Sequence, residues 1–436
     1  YCTFLIAIVK YTNKILYVIK TKISTNKMKE LLLEYEDAKK LVLKHIKPLK
    51  NEMCHLEKSQ GRAISKNIYA TYSMPLFDNS AVDGYAVKYF DLVNASNKNP
   101  VILKNLGYIS AGESGKIKMC AGECLRIATG APIPPEADTV VRKEDVIIDK
   151  SNIIFKKPLQ KTENVRFKGE DIKKGKTVIS AGTLIGPAQI AVLATFGFAK
   201  VPVRKKPKVS IISTGNELVE LEEIPKFGQI RESNRYMLAG MVKQESCDLD
   251  KMSLVPDVPK ILKKEFKDAL NSDIVLISGG MSVGDRDYAK KILKELGVKK
   301  IFWKIKFKPG KPLFFGNLGK TFVFGIPGNP ASSYVIFEEF VRPALRKLMG
   351  RKIIEKAMVR AILEEPISES FERLHFMRGK LDEKNGEFHV KPLSFQGSHS
   401  IGSLIESNAL IRVEPGSPEL NKGAKVDVRP LLNEVE

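Results

Sequence analysis

Several things are scarce in this chain of 436 residues, and each scarcity narrows what it can do. It has five cysteines (Cys2, Cys54, Cys120, Cys124 and Cys247) without the spacing of a disulfide framework, which suits a reducing cytoplasm. Cys120 and Cys124 are the nearest pair, in CAGEC, but no histidine and no second pair completes a zinc set. The five histidines are scattered, which argues against a His-rich zinc centre. No GxxxxGK[ST] occurs, so a P-loop nucleotide hydrolase is excluded. Aromatic residues are 8% and rarely interleave with the basic runs, so no finger or RNA-binding signature emerges. Long apolar runs are missing too. The first one breaks at Lys10, short of the roughly 20 residues needed to span a bilayer, and it lacks the residue order of a signal peptide. Residues 1–27 are therefore expected to precede the natural start, with Met28 opening MKELLLEYEDAKKLVL.

What is abundant is positive charge. Lys+Arg total 72 against 50 Asp+Glu, a net +22 that could answer to nucleic acid, an acidic membrane surface or an anionic substrate. Lysine is spread along the chain and often alternates with glutamate, a surface also common in heat-adapted proteins. Neither a nucleic-acid partner nor a membrane is expected. Hydrophobic residues at 43% support buried cores, and the length implies three or four domains.

Periodicity gives the organisation. Ala38, Leu41, Val42 and Ile46 fall at helical spacing. From about 86 to 165, short strand-like runs (VILKNLGYI, ECLRIA, DTVVRKEDVIID, NIIFKKP) are punctuated by Gly and Pro, which predicts a β-rich domain. A mixed segment follows, with a helix near 187–196. Residues 206–350 alternate strands (KVSIIS, DKMSLVP, DIVLIS, KIFWKIKF, TFVFGI) with helices at 234–245, 258–269, 287–296 and 331–348. That alternation predicts a three-layer α/β/α domain with a mostly parallel sheet. Residues 351–436 return to short strands, read as a small β-barrel or sandwich. The expected division is a discontinuous helical and linker domain (28–76 and 166–205), a β-rich domain (77–165), the α/β/α domain (206–350) and a C-terminal barrel (351–436).

In open α/β sheets ligands bind beyond the carboxyl ends of the strands, so the residues after each strand carry most meaning. They are Thr214-Gly215-Asn216-Glu217, the segment Gly279 to Asp287, Lys308-Pro309-Gly310-Lys311-Pro312, and Pro327-Gly328-Asn329-Pro330. Glycines let backbone N–H groups approach a ligand closely. Two lysines and two carboxylates (Glu217, Asp287) beside them are the parts of a phosphate site with a hard divalent cation, Mg²⁺. Ser332, near the start of the last helix, sits where N–H groups favour an anion. Each loop alone is weak, and Gly-Gly after a strand is more often just a turn; their convergence on one edge is what raises the functional reading. Upstream, FDNSAVDGYAV and RIATGAPIPPEADTVV have turn-like composition and, on composition alone, are as compatible with Asx-turns and helix caps as with a site.

Taken together, FDNSAVDGYAV, RIATGAPIP, NVRFKGEDI, STGNEL, SGGMSVGDRDY, KIKFKPGKP, GIPGNPAS and QGSHSIGSL resemble the MoeA-type molybdopterin molybdenumtransferases, the family that includes the E domain of gephyrin. They occur in the family's order across residues 28–436. The resemblance implies Mg²⁺-dependent cleavage of adenylylated molybdopterin, with transfer of molybdate or tungstate to the dithiolene and release of AMP. It implies a homodimer whose site lies between the α/β domain of one subunit and the β-rich domain of the other. By the same resemblance Glu217 and Asp287 are the metal-site carboxylates. Ser278, Gly279, Gly280 and Ser282, with Ser233 and Asn234, form the substrate cradle, together with the turn Pro327, Gly328, Asn329 and Pro330. Asp83 and Thr129 are contributed across the dimer; Asp171 and Asp257 are further acidic positions, Asp257 among the catalytic ones. Lys308, Lys311, Ser332, Arg378 and Ser398 resemble the molybdate site. Asn216 stands where many relatives carry Asp, which leaves Glu217 as the metal ligand of that loop. The alternatives are a molybdopterin adenylyltransferase, a non-catalytic pterin-binding scaffold and a generic polyanion binder. The upstream blocks and the barrel weigh against the first.

Overall fold

A computed structural model describes residues 32–114, 117–281 and 288–431, and these fall into two compact units. Of the described residues, one unit comprises 32–52, 61–63, 204–281 and 288–431, and the other comprises 53–60, 64–114 and 117–203.

The first unit is built on a six-stranded sheet. Its strands are β1 (Lys208–Thr214), β2 (Asp248–Val255), β3 (Ile274–Ser278), β4 (Lys299–Trp303), β6 (Phe314–Leu318) and β7 (Thr321–Ile326), β5 (Phe307–Lys308) lying outside it. The sheet order is β2-β1-β3-β7-β6-β4. β2, β1, β3 and β7 are parallel; β6 runs against them, and β4, antiparallel to β6, runs with them again. The central strands are apolar on both faces, with every residue of β3 buried, as expected for a sheet covered by helices on two sides. Helices α2 (Asn234–Gln244), α3 (Pro259–Ala269) and α4 (Tyr288–Glu295) follow β1, β2 and β3 in the chain. The last helical stretch is continuous but changes pitch. An α-helical turn α5 (Pro330–Ile336) passes through a π-helical segment (Phe337–Val341) into α6 (Arg342–Leu348).

The run KIFWKIKF, expected as one strand, is two. Lys304 takes a positive φ of 68°, which ends β4 in the sheet and sends β5 to pair with the barrel. The barrel consists of β8 (Val359–Leu363), β9 (Leu374–Lys384), β10 (Glu387–Pro392), β11 (Ala409–Val413) and β12 (Lys425–Pro430). Their order β9-β10-β8-β12-β11, with β11 pairing back onto β9, closes the circle. Closure leaves no free edge.

Helix α1 (Tyr35–His45) also differs from its expected domain. Tyr35, Ala38 and Val42 are buried in the same core as Phe307, Phe340 and Phe376, so the helix belongs to the α/β and barrel unit rather than with residues 166–205. Two buried ionic clusters stitch this unit. Glu339 Oε2 receives Tyr35 Oη at 2.5 Å and Lys39 Nζ at 3.2 Å, and Arg429 Nε lies 2.5 Å from Oε1 as an ion pair. Glu245 receives Arg346 Nε and Arg351 Nη1 at 2.8 Å, and Arg342 as well.

The second unit holds a six-stranded sheet in the order Thr139–Arg142, Gly84–Val87, Glu123–Ile127, Val101–Ile109, Asn152–Phe155 and Val146–Asp149. Short pairings join Val165–Arg166 to Asn79–Ser80 and Thr177–Ile179 to Ile68–Tyr69, and a helix spans Pro187–Thr195. Among the described residues no helix is long and apolar enough to cross a membrane.

Candidate active site

β1 leads to β2 on one side of the sheet, and the next strand, β3, returns to the other side of β1. The chain therefore reverses direction between β1 and β3, the place where open α/β sheets bind ligands. The two strand ends are drawn together there by glycine. Gly279 has a φ of +92°, and a Cβ on it would lie 2.2 Å from the Thr214 carbonyl oxygen. No other residue fits this approach, so the β3 loop presents bare backbone beside the β1 loop.

A cavity of about 600 Å³ opens at this edge. It is lined from β1 by Thr214, Gly215 and Glu217, from β2 by Asp257, from β3 by Ser278, Gly279, Gly280 and Met281, and from β7 by Pro327, Gly328, Asn329 and Pro330. Ser233 and Asn234 enter from the start of α2. Asn234 ties the rim together: its Nδ2 donates to Ser278 Oγ at 2.9 Å and to the Gly328 carbonyl at 2.7 Å. Its Oδ1 is buried without a partner, so one acceptor is available. Asp257 is held in place by the β1 loop. Thr214 Oγ1 donates to its carboxylate, and its own N–H donates to Asn216 Oδ1 at 3.0 Å. Asn216 thus orients Asp257, a task for which its amide oxygen is sufficient. Glu217 is exposed; its carboxylate folds back over Gly215, 2.7 Å from where a Cβ would stand, and makes no ion pair with a described residue.

A second cavity of about 760 Å³ shares Pro312, Pro327 and Asn329 with the first. Lys308, Lys311, Ser332 and Ser398 line it, together with Arg373 and apolar barrel residues such as Ile367 and Met377. The antiparallel register brings the lysine loop here: Phe314, opening β6, pairs with Gly325 near the end of β7. Asn329 Nδ2 donates to Ser398 Oγ at 2.8 Å, and Ala331 N–H donates to the Ser398 carbonyl at 3.1 Å. The Pro-Gly-Asn-Pro turn is thereby a partition between two chambers, one face toward carboxylates and glycines, the other toward lysines.

Arg378 is placed differently from its expected partners. It is fully buried and lines neither cavity; its Nη2 donates to the Gly397 carbonyl at 3.1 Å, and Nε and Nη1 have no partner. A long barrel strand carries it inward, so its evident effect is to hold the loop that presents Ser398. His375 is also buried, with both ring nitrogens unpartnered. Burial, then the charges of Lys308, Arg378 and Arg373, push it down to about 3, so it is neutral over the working range. The folded protein binds its proton only below about 3, whereas an unfolded chain binds it below 6.5. Stability from this group is therefore complete above pH 6.5 and lost as pH falls toward 3, at up to about 1.4 kcal/mol per pH unit. Urea unfolding between pH 4 and 7 is expected to show a shallower pH slope in His375→Leu than in the parent protein. Equal slopes would refute a neutral buried imidazole.

Ser282 and Asp287 lie outside the described residues, as do residues 1–27. Asp83, Thr129 and Asp171 belong to the second unit. There, Thr129 N–H and Oγ1 donate to Asp83 Oδ1 at 2.8 and 3.1 Å, which holds the Asp83 carboxyl below its usual range, with Lys143 adding to the effect. Asp171 is exposed, its N–H donating to the Met74 carbonyl at 3.2 Å.

One residue escaped sequence reasoning. Glu232 lines the first cavity and is 1% exposed, with Oε1 receiving Ser213 Oγ at 2.8 Å and Arg235 N–H at 2.9 Å. An acidic residue immediately ahead of an α-helix was the available signal. Its Oε2 has no hydrogen-bond partner and lies 3.2 Å from Arg235 Nε.

An α/β domain with a glycine-rimmed acidic chamber, a lysine chamber beside it and an attached β-barrel defines a class of proteins that handle anionic, phosphate-bearing ligands at a strand-end cleft. Three family models match consecutive stretches: the MoeA N-terminal region (domains I and II) over 33–197, a probable molybdopterin binding domain over 210–347, and the MoeA C-terminal region (domain IV) over 360–431. The chain belongs to the MoeA family. It is 34% identical over 404 residues to the molybdopterin molybdenumtransferase of Haemophilus influenzae, covering 92% of this chain and 98% of the relative. It is 33% identical to that of Staphylococcus epidermidis, covering 91% and 95%. The crystal structure of the molybdopterin biosynthesis moeA protein from Pyrococcus horikoshii OT3 superposes with a TM-score of 0.80 at 33% identity, covering 91% of this chain and 99% of that one.

Proposed function

We propose that this chain is a molybdenum insertase: it cleaves adenylylated molybdopterin, places molybdate or tungstate on the dithiolene and releases AMP. The observation that carries the reading is the pair of chambers meeting at Pro312, Pro327 and Asn329. One suits a pterin and its phosphates, the other a tetrahedral dianion. Oxyanions are bound by ammonium groups, hydroxyls and backbone N–H rather than by thiols or histidines, and Lys308, Lys311, Ser332 and Ser398 supply the first two. Backbone around Gly279 and Gly280, with Ser278 and Asn234, holds the pterin and phosphates. Cleaving a phosphoanhydride calls mainly for positioning and charge stabilisation, so no nucleophilic Cys or His is required.

Among the described residues no group of three or more His, Cys, Asp or Glu is arranged to hold a metal. Mg²⁺ keeps most of its waters and takes one or two carboxylates plus substrate phosphates. The exposed Glu217 carboxylate, which makes no ion pair among the described residues, fits that donor set, with Asp287 as its expected companion. When bound, Mg²⁺ would neutralise phosphate charge. Asp257, fixed by Thr214 and Asn216, positions the neighbouring phosphate or its attacking water. Asp83, Thr129 and Asp171 are assigned to the site completed by a second copy of the chain, which makes the working form a homodimer. Incubation with adenylylated molybdopterin, Mg²⁺ and molybdate tests the reading. AMP release accompanied by molybdenum cofactor is the expected result; adenylylation of free molybdopterin from ATP instead would establish the adenylyltransferase alternative.

A further inference from the structure

At the opposite end of the same sheet lies a third cavity, of about 730 Å³, which the proposed reaction does not use. It is walled by the end of α1 and its following loop (His45, Lys47, Pro48, Leu49, Lys50), by the entry to β1 (Lys205, Lys206, Lys208), by Asp273 before β3, and by the β6–β7 turn (Gly319, Lys320). Phe322 and Leu348, both buried, complete the wall with Leu49, giving an apolar floor beneath an ammonium rim.

The charge in this cavity is unbalanced. Six lysines face one carboxylate, and that carboxylate is already engaged, Asp273 Oδ2 accepting the Lys208 backbone N–H at 2.9 Å. Lys206 has a partner in Asp248 at 3.6 Å; the other five lysines form no ion pair with a described residue. Like charges gathered around one hollow repel one another, and a bound anion relieves that cost. Lysine is a point-charge donor suited to phosphate. The His45 ring is oriented too: its Nδ1 lies 2.8 Å from the Leu41 carbonyl, so Nδ1–H donates there and Nε2 remains available. The size lies within the usual range for small-molecule sites, and the concave apolar floor favours a compact ligand over an extended protein segment.

We propose that this cavity binds a phosphorylated small molecule with a flat ring body, of the nucleoside polyphosphate class, at a second site remote from the catalytic edge. The phosphates meet the lysine rim and the ring lies on Phe322, Leu49 and Leu348. This assignment does not depend on the insertase reading, because none of its residues lines the catalytic chambers.

The test is equilibrium binding of ATP to the purified full chain without Mg²⁺, with inorganic tripolyphosphate and a polyglutamate peptide as comparison probes. The variant is Lys47→Glu with Lys320→Glu, two exposed positions whose replacement leaves the core intact. The expected results are saturable ATP binding, at least tenfold weaker in the variant, tripolyphosphate weaker than ATP, and insertase activity unchanged by the variant in the absence of ATP. ATP affinity indifferent to the double replacement would overturn the proposal, as would equal affinity for ATP and tripolyphosphate, which would mean charge alone. Tighter binding of the peptide than of ATP would instead assign the cavity to an acidic protein partner. ATP held in the catalytic cleft is recognised as the component of binding that the Lys47→Glu, Lys320→Glu replacement leaves unweakened.

Discussion

Replacing Lys308 and Lys311 together by alanine is expected to weaken molybdate use by about a hundredfold or more while leaving the fold intact. Both lysines line the same chamber, and neither makes an ion pair with a described carboxylate, so their removal leaves no buried charge stranded. A hydrogen bond to a charged group contributes about 1.5–3 kcal/mol, and two such losses multiply to that factor. The effect belongs in the molybdate dependence rather than in pterin affinity, because the glycine-rimmed chamber draws on other loops. High molybdate should recover part of the activity. Titration of cofactor formation against molybdate concentration, with the unfolding midpoint measured alongside, reads both. An unchanged molybdate dependence would remove the lysines from the oxyanion pocket.

The second large effect is on stability. Glu245→Ala is expected to destabilise the first unit by about 3–5 kcal/mol, the usual result of removing one partner from a buried ionic cluster. Glu245 is 2% exposed and takes hydrogen bonds from three arginines on or just after α6 and its π-helical entry. Burial alone would raise its pKa, but Arg346, Arg342 and Arg351 outweigh it and hold the carboxylate down at about 2. Its contribution is therefore fully present above about pH 4.5 and is lost as pH falls toward 2. Guanidinium unfolding at pH 7 measures the loss. Replacing the exposed Glu295, paired with Lys263, should cost under about 1 kcal/mol in the same experiment. Similar losses at the two positions would mean that the buried cluster is not the tie described here.

The sheet edge that carries the first cavity was legible in the sequence because strand, loop and helix recur in order, and parallel strands place their loop ends on one side. KVSIIS, DIVLIS and TFVFGI became β1, β3 and β7, and the loops after them line a common cavity. What stayed hidden has physical reasons. The break in KIFWKIKF occurs at Lys304 without a glycine or proline to announce it; Ile305 and Phe307 are fully buried and hold the turn from a distance. Glu232 looked like a solvated charge because acidic side chains rarely lie inside. Its burial follows from Ser213 and Arg235 closing over it, a contact between β1 and α2 that no local pattern encodes. Arg378 read as one more cation for the oxyanion, yet its strand faces the interior and two backbone carbonyls, of Phe395 and Gly397, receive its guanidinium. Helix α1 carried a clear apolar stripe, but periodicity says that a face is covered without saying by what.

The claim on which the rest stands is that an oxyanion and a phosphate-bearing pterin meet across the Pro-Gly-Asn-Pro partition. Anomalous X-ray scattering from crystals soaked in tungstate, with molybdate as competitor, tests it most directly. The predicted result is a peak in the chamber of Lys308, Lys311, Ser332 and Ser398, lost in the double lysine variant and displaced by molybdate. A peak confined to the lysine cavity at the far end of the sheet, with the Lys308–Lys311 chamber empty at saturating tungstate, would contradict the account.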